Sequence, residues 1–448
     1  MCSLLCLLPL GASGQTAAPY VGQRTSDDWH TLLTQGGIRR SQSGWYMQLP
    51  NGLSDLLVMN FVDGYSVGPH AIWGHVNQDR SRWELEETLR WTENRKRWVG
   101  KASLRYIWPV EWQSFISIYG GQHMEDFDEE PLMPQHHSLM ASGLFGWNEY
   151  KLLERTQAGV RVSSAVATSM LLTGDVRWER RREKENNRKR NAFGVEAESN
   201  VPRIRYESGD RVDESLIESD RLRLYQGPVD AELMKASIQM DLLQDPTLYV
   251  IDDMTGMLVS HRPHYTAKLD MGHGVGHRWS DMRFLSLDLS MMQAVALTRE
   301  LDQIRYKVGA GAMWKHGEVG LADWHHLDAS RFWWQRSDGL TRFALLGNYE
   351  LSTDQWWSEA HVEWSSMNML LTHWTMTPEL RETLQLHVAK VADHPVHWEG
   401  QYGWDMVGQL KLGVTVGFDG MNYSGVAFGL TLQIPTSAPT KGKNKKEN

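Results

Sequence analysis

The side chains best suited to chemistry in this 448-residue chain are its histidines and carboxylates. Histidine is bunched: His136-His137, then His261, His264, His273 and His277, then His325-His326. Neutral imidazoles ligate metals, and an i to i+4 pair converges on a helix. His273 and His277 instead sit in a strand-and-turn context, where that spacing puts them about 13 Å apart on one face. Solvated loop histidines are the expectation. Glu125, Asp126, Asp128, Glu129 and Glu130 form an acidic loop, but it lacks the spaced Asp/Asn/Gly pattern of a calcium loop. Ser286, Asp288 and Ser290 share one predicted face, and Gln385 and His387 share another; a polar lining explains them without catalysis. There is no Walker loop and no strand–GxGxxG–helix unit. No catalytic residue, no cofactor and no metal is therefore expected.

The elements that carry these residues have a period of two. In Lys235 to Leu242, Lys235, Ser237, Gln239 and Asp241 alternate with Ala236, Ile238, Met240 and Leu242. The pattern recurs in Gly100–Trp108, Tyr265–Met271, Leu285–Met291, Ile304–Trp314, Leu384–Val388, Leu410–Phe418 and Val426–Ile434. A β-strand sends successive side chains to opposite faces, so each segment has one apolar face and one polar or small one. Many segments run longer than the roughly 5–6 residues usual in soluble strands. They suit the roughly 9–11 residues of a tilted membrane strand. Tryptophan numbers 21, and Trp73, Trp91, Trp98, Trp108, Trp112, Trp178, Trp314 and Trp364 fall near strand ends, as interfacial girdles require. No run of 18 apolar residues occurs, which rules out a helical membrane protein and leaves a barrel open. The fold class predicted is all-β: a transmembrane antiparallel β-barrel of about 16 strands, within a range of 12–18. A large soluble β-protein is the competing fold.

The predicted organisation is a signal peptide over 1–14, a periplasmic lead-in over 15–61, a barrel over 62–434 and a basic, disordered tail over 435–448. The two cysteines, Cys2 and Cys6, lie in the leader, so the mature chain has no thiol for a disulfide or a zinc site. Polar loops at 123–140, 183–228 and 316–340 divide the strands into groups of 4, 2, 4 and 6. That count puts all three loops on the side of the termini, against the usual barrel plan. An additional first strand within Leu53–Phe61 repairs it, or loops fold back into the lumen. Ser138–Arg155 reads as a short amphipathic helix or a further strand.

Several stretches resemble a Bacteroidota barrel family whose members are usually named carboxypeptidase-regulatory-like-domain proteins. They are Phe61-Val62-Asp63-Gly64-Tyr65-Ser66-Val67-Gly68, Pro131 to Arg155, Val176-Arg177-Trp178-Glu179-Arg180-Arg181, His264 to Leu269 and Trp357 to Gln385. The resemblance spans roughly 61–434 and implies an outer-membrane barrel of unknown function. The N-terminal β-sandwich of that family has no counterpart in 15–61, and the last strand lacks the aromatic terminal residue of barrel-insertion signals. The family name implies no peptidase here: none of the 18 histidines has a Glu three positions on, the spacing by which His and Glu share a zinc.

The net charge of −9 excludes a basic nucleic-acid binder. The expected partners are outer-membrane lipid and the barrel-assembly machinery; the sequence names no solute or protein partner. Nine charged residues fall on inward faces: Lys101, Arg105, Lys235, Asp241, Lys268, Asp270, Arg305, Lys307 and Lys411. Their signs are mixed, which favours cross-strand pairing and a narrow or blocked lumen. A non-enzymatic role in envelope transport, assembly or scaffolding is the function expected. The alternative is an outer-membrane barrel hydrolase with a rim active site, which a close Ser–His or Asp–His pair at one rim would favour.

Overall fold

The computed structural model describes residues 37–40, 43–50, 56–109, 114–129, 141–148, 150–167, 169–191, 193–205, 222–243, 247–251, 254–258, 262–298, 302–329, 339–366, 369, 381–392, 394–406 and 410–432. The segments expected to be signal peptide and tail, much of the expected lead-in, and the residues His136, His137 and His261 lie outside the described residues.

Period two builds strands throughout. They are β1 (Gly37–Arg40), β2 (Trp45–Leu49), β3 (Leu57–Asn60), β4 (Gly64–Val67), β5 (His70–Val76), β6 (Arg82–Thr92), β7 (Arg97–Ile107) and β8 (Phe115–Asp126). Then come β9 (Leu152–Ala167), β10 (Met170–Arg182), β11 (Arg203–Arg205), β12 (Leu222–Leu224), β13 (Ala231–Leu243), β14 (Thr247–Ile251), β15 (Met254–Leu258) and β16 (His264–Gly274). The last are β17 (Arg283–Thr298), β18 (Asp302–His316), β19 (Trp356–Ser366), β20 (Arg381–Val391), β21 (His397–Met406), β22 (Leu410–Asp419) and β23 (Asn422–Leu432). Nineteen of them form one antiparallel sheet; β11–β12 and β14–β15 are separate hairpins. Among the described residues the remaining elements are single 3-10 or π turns, and no helix is long and apolar enough to cross a membrane.

The connectivity is a meander. β4 and β5 pair with β6 in one unbroken register, Ser66 opposite Thr92 and His70 opposite Thr88, so together they make a single crossing. β3 and β2 pair in turn with β4 and β5 and make another. With β6 to β10, β13 and β16 to β23 this gives sixteen crossings, beside the short β1. The periodicity missed the β2–β3 crossing at the start, part of which lies within Leu53–Phe61. It also counted one strand too many after residue 340, where five are present. The connections after β8, β10 and β18 then leave from one rim, and Leu432 ends at the other.

The sheet curls. Tyr349 donates its hydroxyl hydrogen to Asp126 on β8, and the next residue, Glu350, shares Arg205 with Asp419 on β22. Nine strands separate β8 from β22 (β9, β10, β13 and β16 to β21). In a flat sheet that separation is about 48 Å. Two neighbouring residues reach both only because the wall bends round them. Among the described residues no ladder joins β1 to β23.

Polarity is the reverse of that in a soluble domain. Large apolar side chains point outward: Leu89, Ile118, Val176, Ile238, Leu289 and Leu386 are all exposed. Charged and polar ones point inward: Glu84, Arg177, Glu179, His361, His387 and Glu399 are all buried. The exposed tryptophans sit near strand ends. On β6 Trp83 and Trp91 are eight residues apart, as are Trp356 and Trp364 on β19. Eight residues cover about 27 Å of strand. Tilted by about 35–45°, they span about 20 Å, close to the roughly 25 Å apolar band of a membrane barrel.

Candidate functional site

The concave face is not an empty channel wall, because the segment between β18 and β19 lies against it. Residues 317–329 and 339–355 contribute Val319, Leu321, Leu327, Phe343, Leu346, Tyr349 and Leu351, all buried. Three apolar cores form where this insert meets the sheet. Leu321, Ala322 and Tyr349 pack with Phe127, Leu153, Ile204 and Tyr225, while Leu327, Ala329 and Phe343 pack with Trp357, Ala389 and Val391. In the third, Val319 packs with Ala231, Leu233, Phe284 and Met313. Burial of these side chains, each contributing about 1.5–3 kcal/mol, is what seats the insert.

Around the first core runs a continuous ionic network. On β10 the residues Asp175, Arg177, Glu179 and Arg181 recur every second position and so line one face. Arg181 donates from both Nη atoms to Asp323 of the insert, at 2.6 and 2.8 Å, and also pairs with Glu179. Arg177 donates to Glu179 at 2.9 Å and to Glu129, which follows β8. Lys235 on β13 reaches Glu129 at 2.9 Å and Asp323 at 3.1 Å. Arg155 on β9 reaches Glu125 at 3.0 Å and Glu129 at 3.3 Å. Gly159 opposes Arg177 across the β9–β10 ladder, and a Cβ there would strike the side chains of Arg177 and Tyr119 at 2.7 Å. Glycine at that position gives both side chains their room, and Tyr119 bonds to Asp175 at 2.8 Å.

A second polar group underlies Phe343. Its ring packs edge-on against His361, His387 and His397, with centroids at 5.3, 5.9 and 5.6 Å. The Nδ1 atoms of His361 and His387 are 3.0 Å apart, so one ring donates and the other accepts. His397 lies between Asp419 at 2.7 Å and Glu399 at 3.0 Å. Glu399 in turn accepts the backbone N–H groups of Ala344 and Leu345, at 2.7 and 2.9 Å. The insert is thus gripped by side chains from β8, β10, β13 and β21, and through Arg205 by β22.

The ladder registers place eight of the nine charged residues singled out in the sequence on the inner face. Arg105 faces Glu84 at 3.5 Å, Lys101 faces Glu125 at 4.0 Å and Asp241 accepts from Thr266 at 2.8 Å. Lys268 meets Asp270 at 3.3 Å, Arg305 meets Glu363 at 2.7 Å and Lys307 meets Glu359 at 3.1 Å. The side chain of the ninth, Lys411, lies outside the described residues. The other eight do not converge on one centre; Lys235 belongs to the network around Glu129 and Asp323, and Lys101 meets its edge at Glu125. Pairs of opposite sign dominate.

The histidine clusters separate in space. His273 and His277 are exposed, His264 meets Asp241 at 3.2 Å, and His325 stacks on Trp357 at 4.0 Å. Among the described residues no three His, Cys, Asp or Glu side chains gather as a metal site. Ser286 bonds to Asp288 at 3.4 Å on β17, while His387 is on β20, with β18 and β19 between them. One Ser–His pair does exist: His326 Nδ1 and Ser352 Oγ are 2.7 Å apart within the insert. The Ser352 hydroxyl donates to the Tyr349 carbonyl at 2.8 Å, so it accepts from His326. Burial, followed by the neighbouring His325, pushes the His326 pKa down to about 3, far from the value near 7 that suits a general base. This pair fastens the insert.

Arg155, Arg177, Glu179, Arg181, Asp323, His361, His397 and Glu399 carry the site without having been singled out as site residues. The alternating signs of Asp175, Arg177, Glu179 and Arg181 were a usable signal on β10. Asp323 had none, because nothing in an aperiodic loop marks which carboxylate turns inward.

These features define a curled, all-β wall, polar inside and apolar outside, with its own chain seated within. The chain belongs to the family of unknown function DUF5686, whose C-terminal domain it matches over residues 30–223 and 231–404. No curated protein matches it. Among solved structures it is similar to CdiB from Acinetobacter baumannii, with 11% identity, a TM-score of 0.37 and coverage of 88% of this chain and 57% of that one. The chain therefore spans little more than half of CdiB. It is also similar to BamA from Haemophilus ducreyi lacking POTRA domains 1–3, with 10% identity, a TM-score of 0.42 and coverage of 94% and 75%. A porin of Rhodopseudomonas blastica gives 9% identity, a TM-score of 0.30 and coverage of 82% and 89%. The overlap is too low to carry any role across.

Proposed function

We propose that this protein is an outer-membrane β-barrel of non-enzymatic type, serving envelope transport, assembly or scaffolding, with its lumen closed by the 317–355 insert. The observation that carries this reading is the inverted polarity of the wall. Exposed Leu, Val, Ile and Trp side chains ring the outside, where water would penalise them and lipid would not. The paired charges of the inner face support a filled lumen, since each unpaired one would cost several kcal/mol in a dry interior. The nine charged residues then act as lumen lining, most of them held by partners. The five stretches that resemble Bacteroidota carboxypeptidase-regulatory-like barrels fall mostly within the matched residues, which favours that kinship. A leader over 1–14 and insertion by the barrel-assembly machinery complete the proposal.

Two measurements test it. The chain fractionates with outer membranes and resists carbonate extraction; recovery as a folded soluble protein without detergent would overturn the membrane reading. In planar bilayers the purified protein is silent or opens rarely and slightly; large, steady, weakly selective conductance would overturn the closed lumen.

A further inference from the structure

The network around Glu129 has an uneven origin. Five of its cations, Arg155, Arg161, Arg177, Arg181 and Lys235, project from β9, β10 and β13, and a sixth, Lys101 of β7, faces Glu125. Only three of its carboxylates, Glu125, Asp175 and Glu179, belong to strands. The other two, Glu129 and Asp323, arrive on segments outside the strands and leave a single positive charge in excess. Without them the wall is more positive still, by two charges.

Glu129 is held in a particular way. Arg155, Arg177 and Lys235, one from each strand, all converge on its Oε1. Burial pushes the Glu129 carboxyl up, but Arg177, Lys235 and Arg155 outweigh it and keep it well below the usual range. Arg155 is 2% exposed, and its Nε and Nη2 have no hydrogen-bond partner among the described residues. Buried guanidinium N–H groups are normally satisfied, so two without a partner among the described residues, beside a carboxylate, are donors that Glu129 does not use.

We propose that the inner wall at β9, β10 and β13 is a binding site for the phosphate group of a small water-soluble solute, and that Glu129 stands in for that ligand in this structure. A phosphate has more acceptor oxygens than a carboxylate. It could take the donors that Glu129 holds and also Nε and Nη2 of Arg155, the fork geometry that Arg offers oxyanions. The site faces the lumen, away from the lipid-facing side chains. The proposal rests on the reading of this protein as a barrel with a filled interior, which fractionation and bilayer recording test separately from ligand binding.

The test uses the full chain in detergent and inorganic phosphate, titrated by calorimetry, with folding verified by heat-modifiable migration. Glu129→Gln removes the competing charge and keeps the shape, so phosphate binds it about tenfold tighter than the parent chain. Adding Arg177→Gln to Glu129→Gln abolishes the gain. Folded Glu129→Gln that binds phosphate no better than the parent overturns the proposal. A gain that survives Arg177→Gln also overturns it. Binding of phosphatidic acid micelles without binding of inorganic phosphate would mean a lipid headgroup ligand and reject the soluble one.

Discussion

Arg181 of β10 and Asp323 of the insert form a two-pronged ion pair in which neither side chain meets solvent, across 142 residues of sequence. It is the point where the wall and the inserted segment are most firmly joined.

Breaking that pair from one side leaves buried positive charge in excess. Asp323→Ala leaves Arg181 with Glu179 and Lys235 with Glu129 but removes the carboxylate they share, and should cost about 3–5 kcal/mol. The cost appears as faster proteolysis within 317–355 and a lowered denaturation midpoint. Replacing both partners, Arg181→Met with Asp323→Leu, recovers most of the loss, because two apolar groups need no compensation. A double variant as unstable as Asp323→Ala contradicts this account of the joint.

Seating of the insert depends on pH through His325 and His326. Burial pushes their pKa values down to about 4 and about 3 from an ordinary 6.5, so both are neutral when docked. An undocked segment takes up protons as the pH falls through 6.5, and the docked one does not. Docking is therefore fully favoured above about pH 6.5 and weakens progressively as the pH falls towards 4. Asp323 acts lower: its pKa is about 2, because Arg181 and Lys235 outweigh the effect of its burial, so its support is lost only below about pH 4. Protease protection of 317–355, followed from pH 7.5 to 4.5, should decline, and His325→Gln with His326→Gln should flatten the decline. A flat profile in the parent protein argues against the histidines.

The two faces of β17 should respond differently to charge. Leu289 is 50% exposed on the outside, while its neighbour Ser290 faces Gly309 on the inside. Leu289→Arg places a cation against lipid near mid-strand and should cost about 2–4 kcal/mol of folded barrel. Ser290→Arg should cost far less. Equal losses in the heat-modifiability assay would mean that the faces are assigned wrongly.

Gly311 makes room for the Trp357 ring, which stacks on His325; a Cβ at 311 would lie 2.1 Å from Cζ2 of that ring and 2.5 Å from the Leu287 carbonyl oxygen. Gly311→Val should displace Trp357, push locally on the β17 backbone at Leu287 and loosen the insert. The expected readout is increased proteolysis in 317–355, with the barrel still heat-modifiable.

Much of the wall was legible because one periodicity serves two environments. The alternation through Lys235 to Leu242 or Ile304 to Trp314 states both the strand and its inward face, and the ladders place those residues accordingly. β2 escaped notice, and β3 was reached only through the sidedness of the loops, because each is short and the crossing is interrupted, so alternation never runs long enough to register. The insert was hidden for a different reason. Phe343, Tyr349 and Leu351 follow the polar loop expected at 316–340, where strands were expected instead, and their burial is decided by surfaces on strands far away in sequence. His397 and Glu399 likewise gain their meaning only from Asp419 and from the N–H groups of residues 344 and 345.

The partners of the insert also order events in time. Tyr349 meets Asp126 across 223 residues, and Arg205 meets Asp419 across 214. Contacts of such separation form late, since the loop entropy they close must be lost before they return anything. The insert has no complete seat until strands from β8 to β22 have paired, so the wall assembles hollow and fills last. Refolding into detergent should show this as two phases, strand signal first and protection of 317–355 afterwards.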